Sequence, residues 1–219
     1  AINAELIEIL LNGGINRISL GLQSSDDEIL KQIGRRHTFA QARQAVRLLQ
    51  QAGLTNISCD LIYSLPRQTR AQWKKTLQDV LSLNIPHCSL YALTIEEHSE
   101  FGRTGQRPLD EDTEASMYCE AVRVLTEAGY QHYEISNFAK PGYASRHNLH
   151  YWNYDDFYGV GLGASGKLSS FRYDNTRNFQ EYFKGHWIGE TIELSRRDQM
   201  FERVMMNLRT ARGLSLADF

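Results

Sequence analysis

The chain has 219 residues, 42% of them hydrophobic and 23% charged, and a formal net charge of −2. That length carries one large domain, or one domain with part of another, and the apolar content is ordinary for a globular chain. The near-neutral charge argues against a nucleic-acid surface as the main role, and no stretch approaches the run of about twenty apolar residues that a transmembrane helix needs. Arginines gather at Arg35-Arg36 and Arg196-Arg197, where each pair reads as a solvated face or an anion contact. Cys59, Cys88 and Cys119 are odd in number and far apart, with no CxxC pair, zinc spacing or disulfide framework. A reducing cytoplasm is the expected compartment.

The first half alternates helix and strand. Leu6, Ile7, Leu10 and Leu11 share one face of a helix over residues 4–11, which Asn12-Gly13-Gly14 stops. Residues 17–22 read as a short alternating strand. Thr38 and Gln41 form a capping box that opens a helix ended by Gly53, and residues 56–63 make the next strand. A second capping box, Thr69 with Gln72, starts a helix reaching about Leu83. A strand over 87–93, an amphipathic helix over about 112–128 and a further strand over 133–138 follow. Such alternation implies parallel β-α units, hence an α/β sheet or barrel. Beyond Gly166 the pattern changes: residues 169–190 show no sustained period, 197–209 read as a helix, and 213–219 look like the start of another.

The most informative stretch is Arg146-His147-Asn148-Leu149-His150-Tyr151-Trp152, followed by the glycine-rich run Tyr158-Gly-Val-Gly-Leu-Gly-Ala-Ser-Gly166. It sets nitrogen and oxygen ligands beside a flat aromatic surface, with glycines that allow close backbone approach. A large planar metal-bearing ligand suits this combination, and haem is the candidate because imidazole is a common axial ligand of its iron. The plainer alternative makes Tyr151 and Trp152 core aromatics and the histidines turn caps. In parallel α/β folds, ligands gather at the carboxyl ends of strands. Gln23 stands at such an end, Asp60 lies inside an apolar strand where a carboxylate is costly unless paired, and Arg35 follows a short helix. The competing roles are an ion pair of Asp60 with Arg17 or Arg35, and a surface position for Arg35.

Arg17-Ile-Ser-Leu-Gly-Leu-Gln-Ser24, Ile33-Gly-Arg-Arg-His37, Asp60-Leu-Ile-Tyr-Ser-Leu-Pro66 and Tyr133-Glu-Ile-Ser-Asn-Phe-Ala139 together resemble the radical S-adenosylmethionine (SAM) proteins related to oxygen-independent coproporphyrinogen III oxidase. His147-Asn148-x-x-Tyr151-Trp152 is similar to the element of the HemW branch, regarded as haem chaperones. The resemblance covers nearly the whole chain. It implies the C-terminal portion of a parallel β/α partial barrel over residues 1–168, then the start of a smaller, mainly helical C-terminal domain over 169–219. It places SAM contacts on Gln23, Arg35, Asp60, Thr94, Ala164 and Ser165, and haem contacts on His147, Tyr151 and Trp152, with His147 at the iron. Haem or a porphyrin and haem-acceptor proteins are the implied partners.

One departure stands against these matches. The family holds a [4Fe-4S] cluster with three closely spaced cysteines, because soft thiolates suit such a cluster. This chain has no such spacing, and its Gly13-Gly14 reads as a helix stop rather than a cofactor motif. The cluster ligands are therefore expected in a segment ahead of Ala1, or radical chemistry has been abandoned. Two readings compete: a haem chaperone that delivers haem, and a radical SAM oxidoreductase of the coproporphyrinogen III dehydrogenase type. A third, an ordinary barrel enzyme, lacks a convincing general base beyond Asp60.

Overall fold

The computed structural model describes residues 2–215, which divide into two compact units at 144/145. The boundary expected from the sequence, 168/169, falls inside a β-hairpin of the second unit. The first unit contains α1 (Ala4–Asn12), β1 (Ile18–Gln23), α2 (Asp27–Gln32), α3 (Phe39–Gln51), β2 (Ile57–Tyr63), α4 (Arg70–Leu81), β3 (His87–Ala92), α5 (Glu100–Arg103), α6 (Glu111–Glu127), β4 (Gln131–Glu134) and β5 (Asn137–Ala139). Its five strands form one sheet in the order β1-β2-β3-β5-β4, with β1, β2 and β3 parallel.

Both capping boxes form. Thr38 and Gln41 close the start of α3, and Thr69 and Gln72 close the start of α4, each pair satisfying two orphan N–H groups. The helices cover one face of the sheet. Ile57, Cys59 and Leu61 of β2 pack there with Val46 and Leu49 of α3, Trp73 and Leu77 of α4, and Met117 of α6. The Trp73 indole N–H donates to the Met117 carbonyl at 2.9 Å, so the largest core side chain buries no unpaired donor.

The strand expected over 133–138 is instead a hairpin. β4 and β5 are antiparallel, and β5 returns antiparallel against β3. Local side-chain chemistry turns the chain. The Glu134 carboxylate accepts from the Ser136 backbone N–H at 3.0 Å and from the Asn137 side-chain amide, folding Ile135-Ser136 into a tight loop. The apolar alternation that suggested one strand belongs to two strands meeting across that loop.

The second unit contains α7 (Arg146–Trp152), β6 (Ser165–Leu168), β7 (Phe171–Asn175), α8 (Phe179–Phe183), β8 (Ile188–Glu193) and α9 (Arg196–Asn207). β6, β7 and β8 form an antiparallel sheet in that order. Residues 169–190 show no period in the sequence because β8 is exposed along its length and β7 buries only Asn175. A strand without a buried face has no apolar alternation to display. The helix start expected over 213–219 lies mostly outside the described residues.

Candidate functional site

The face of the first sheet turned away from the helices is polar, and the strand register aligns its residues in rows. Ser19, Ser58 and His87 occupy one level of β1, β2 and β3. Two residues further along, Gly21, Asp60 and Ser89 form the next row, continued by Asn137 and Glu134 of the hairpin. The alternation of β2 thus assigns Cys59 and Leu61 to the core, and Ser58 and Asp60 to the polar face.

Asp60 is half-buried and is held by Ser19, whose hydroxyl lies 3.0 and 3.1 Å from the two carboxylate oxygens. Among the described residues neither Arg17 nor Arg35 forms an ion pair with it; Arg17 instead donates to the Asn56 side-chain carbonyl at 2.8 Å. A hydroxyl has one hydrogen to share, so the carboxylate keeps acceptor capacity. Gln23 ends β1 with φ +67° and is only 7% exposed. Its side-chain nitrogen folds over Gly21, where a Cβ would stand 2.9 Å away, so the absence of a side chain at Gly21, the register partner of Asp60, leaves the space this amide occupies. Arg35 and Thr94 line one cleft with Ile62, Leu65 and Ile95, at the carboxyl ends of β2 and β3. Arg35 and Thr94 thus share a cleft, Gln23 ends the neighbouring strand, and Asp60 lies mid-strand on the polar face.

Sequence reading missed the centre of the polar face. His87 is 1% exposed, its Nδ1 is 2.7 Å from the Ser58 hydroxyl, and its Nε2 is 2.8 Å from the Tyr133 hydroxyl. Burial, followed by the charge of Arg17, pushes its pKa down to about 3. A neutral imidazole has one donor and one acceptor nitrogen, so His87 donates to one of the Ser58 and Tyr133 hydroxyls and accepts from the other. Tyr133 reaches His87 because the β4–β5 register shifts between His132 and Glu134. Such an irregularity re-aims a side chain. The signal in the sequence was the polar alternation His87, Ser89, Tyr91 within an otherwise apolar strand.

The cysteines offer no cluster site. Cys59 and Cys88 face each other in register on the core side, and burial pushes the Cys59 thiol up to about 12. Cys119 is exposed on α6. Among the described residues no group of three or more His, Cys, Asp or Glu side chains is placed to hold a metal ion.

In the second unit, α7 is capped by the Ser145 hydroxyl, which accepts from the Asn148 N–H at 3.3 Å. The helix brings His147 and Tyr151 together at i, i+4, with ring centroids 4.8 Å apart at 88°; Tyr151 meets Phe157 at 4.6 Å and 76°. His147 is exposed and has no hydrogen-bond partner among the described residues. His150 is engaged on both ring nitrogens: Nδ1 lies 3.3 Å from the Asp155 carboxylate and Nε2 lies 2.6 Å from the Asp156 carbonyl. Trp152 lies about 140° round the helix from His147. Its carbonyl accepts from the Asn207 amide at 2.7 Å, and the Arg209 guanidinium lies 6.0 Å from its ring. In the glycine-rich turn the Ala164 carbonyl accepts from the Asn175 N–H at 2.8 Å, and the Ser165 hydroxyl donates to Asp174.

Residues 1–80 match the family model of the radical SAM superfamily. The chain is 40% identical to "Heme chaperone HemW" of Lactococcus lactis over 98% of its own length and 59% of that protein. It is 34% identical to the protein of the same name in Haemophilus influenzae, over 100% of its length and 58% of the relative. It thus spans less than two thirds of these relatives. A solved structure, that of the Escherichia coli coproporphyrinogen III oxidase HemN, superposes with a TM-score of 0.82 over 95% of this chain and 53% of that one. At 20% identity this likeness shows the α/β fold alone.

Proposed function

The chain belongs to the radical SAM superfamily and to its HemW-like family, and from that premise we propose that its function is that of a haem chaperone, binding haem and passing it to acceptor proteins. The observation that carries the reading is His147. An exposed imidazole without a partner among the described residues stands edge to face with Tyr151, which Phe157 supports from its other side. A neutral imidazole nitrogen is the usual protein ligand of haem iron, and adjoining aromatic rings give the macrocycle an apolar neighbour. His150 faces Asp155 and the Asp156 carbonyl instead, so His147 is the histidine that would hold the iron.

Gln23, Arg35, Asp60 and Thr94 are assigned to SAM. Their chemistry fits: a guanidinium for a carboxylate, a carboxylate with spare acceptor capacity for hydroxyls or an ammonium, and an amide with both functions. Ala164 and Ser165 are assigned to the same cofactor from the family pattern. When bound, the cofactor is the family's precursor of an adenosyl radical, and that chemistry also needs a [4Fe-4S] cluster. The described cysteines do not fit a cluster. The cytoplasm is the proposed location; no helix among the described residues is long and apolar enough to cross a membrane.

The competing function is anaerobic decarboxylation of coproporphyrinogen III. One experiment separates them: the full-length protein is titrated with haem under a Soret readout, then supplied with coproporphyrinogen III, cluster and reductant. The chaperone reading expects haem binding and no decarboxylation. Robust turnover without haem binding would make the oxidase correct.

A further inference from the structure

We propose that the outward apolar face of α9 is the docking surface for the next helix of this same chain, which opens at Ser215 and runs on past Phe219. The inference goes beyond haem and SAM binding and depends on neither.

α9 is fastened to its own unit by polar side chains. The Tyr154 hydroxyl donates to the Glu202 carboxylate at 2.6 Å, Arg172 pairs with the same oxygen at 2.9 Å, and the Arg203 guanidinium lies 5.9 Å from the Tyr154 ring. Further along, the Asn207 amide donates to the Trp152 carbonyl at 2.7 Å. At about 100° per residue, Met200, Phe201, Val204, Met205 and Leu208 fall within an arc of about 140°, and Glu202, Arg203 and Asn207 lie outside it. Met200, Phe201 and Leu208 are 43%, 69% and 65% exposed, and α9 buries none of its residues. A surface helix ordinarily turns its apolar stripe inward. In α9 the polar side is the packed one, and the apolar stripe has no cover among the described residues.

Three observations choose the occupant. This chain matches two relatives over 98% and 100% of its own length but over only 59% and 58% of theirs, so the relatives possess further chain to cover such a stripe. Gly213, with φ +71°, turns the backbone shortly after α9 ends at Asn207, and the connection is of the length that joins two antiparallel helices. The sequence then reads Leu214-Ser-Leu-Ala-Asp-Phe219, in which Ser215 and Asp218 have the spacing of Ser195 and Asp198, the capping box of α9. An antiparallel helix starting there brings an acidic first turn, with Asp218, to the end of α9, where Arg209 and Arg212 stand. A second copy suits the stripe less well. Antiparallel pairing of α9 with itself sets Arg196 and Arg197 beside Arg209 and Arg212, while Glu202 is already engaged by Arg172 and Tyr154.

The test uses the full-length protein with Phe201 or Leu208 replaced by the photoreactive p-benzoylphenylalanine. Irradiation at low protein concentration is followed by proteolysis and mass spectrometry. The expected result is cross-linking within one chain, from both positions, to residues from Leu216 onward. Cross-links to a second copy, to residues ahead of Ala1, or only to residues 2–215 overturn the proposal, and so does an absence of cross-links. Phe201→Glu supplies an independent measurement. A charge placed beneath a docked helix should lower the urea midpoint of the full-length protein. An unchanged midpoint marks a free surface and overturns the proposal as well.

Discussion

His147 and Tyr151 stand edge to face, 4.8 Å apart at 88°, one turn from each other on α7. The same helix turns His150 toward Asp155 and the Asp156 carbonyl, so two histidines three residues apart have different chemical availability. The ligand field of bound haem should therefore depend on one of them. In the full-length protein, His147→Ala should shift or collapse the Soret band, while His150→Ala should leave its position unchanged. A haem spectrum indifferent to His147 and altered by His150 would reverse the assignment.

Asp60 and Ser19 define the second expectation. The carboxylate is held from the neighbouring strand by one hydroxyl and, among the described residues, forms no ion pair with an arginine, which keeps it able to accept from a ligand. Asp60→Ala and Gln23→Ala should each weaken SAM binding roughly ten- to hundredfold, the scale of a hydrogen bond involving a charged group. Ser19→Ala should have a smaller effect, because it frees the carboxylate without removing it. Calorimetric titration of the full-length protein decides the matter. Unchanged affinity in both Asp60→Ala and Gln23→Ala, with the fold intact, sinks the cofactor assignment.

What was legible in the sequence was what is locally encoded. Thr38 with Gln41 and Thr69 with Gln72 announced helix starts because a capping box is a contact between residues three apart. Of the parallel strands, β1 showed by its alternation and β2 and β3 by their apolar residues, because helices cover one face of the sheet. The hairpin at Ile135-Ser136 was missed because its cause, the Glu134 carboxylate folding onto Ser136 and Asn137, interrupts an apolar pattern without a glycine or proline. His87 was missed for a different reason. Its partners, Ser58 and Tyr133, lie 29 and 46 residues away, and only the sheet register and the shift before Glu134 bring the three together. Of the haem motif, the sequence held the residue types but not the distinction between an imidazole without partners and one engaged on both nitrogens.

Ser64 provides a stability test independent of any ligand. It follows β2 with φ +61°, is fully buried, and its hydroxyl has no hydrogen-bond partner among the described residues. Left-handed backbone costs a non-glycine residue on the order of 1 kcal/mol, and an unmet buried hydroxyl costs a similar amount or more. Glycine removes both penalties at the expense of greater freedom in the unfolded chain. Ser64→Gly should therefore stabilise the protein by about 1 kcal/mol, with Ser64→Ala gaining less because it keeps the backbone strain. Urea midpoints compared at constant slope measure both. A lower midpoint in Ser64→Gly would mean that the hydroxyl is satisfied and stabilising.

His87 couples the polar face to pH. In the folded protein its pKa is pushed down to about 3, first by burial and then by the Arg17 charge; exposed in the unfolded chain, it returns to about 6.5. Above pH 6.5 the ring is neutral in both states and folding costs it no proton. As pH falls below 6.5, the unfolded chain binds a proton that the folded protein refuses, and stability declines until about pH 3, where the folded state also protonates. The slope attributable to this residue is about 1.4 kcal/mol per pH unit, one proton's worth. His87→Gln retains groups that hydrogen bond with Ser58 and Tyr133 but does not titrate. Urea unfolding at pH 7, 6, 5 and 4 should give the parent a steeper loss of stability than the variant by about that amount, with other titrating groups cancelling in the comparison. Parallel curves for the two proteins would show that His87 takes up its proton within the folded state, and that the Ser58–His87–Tyr133 chain opens to admit it.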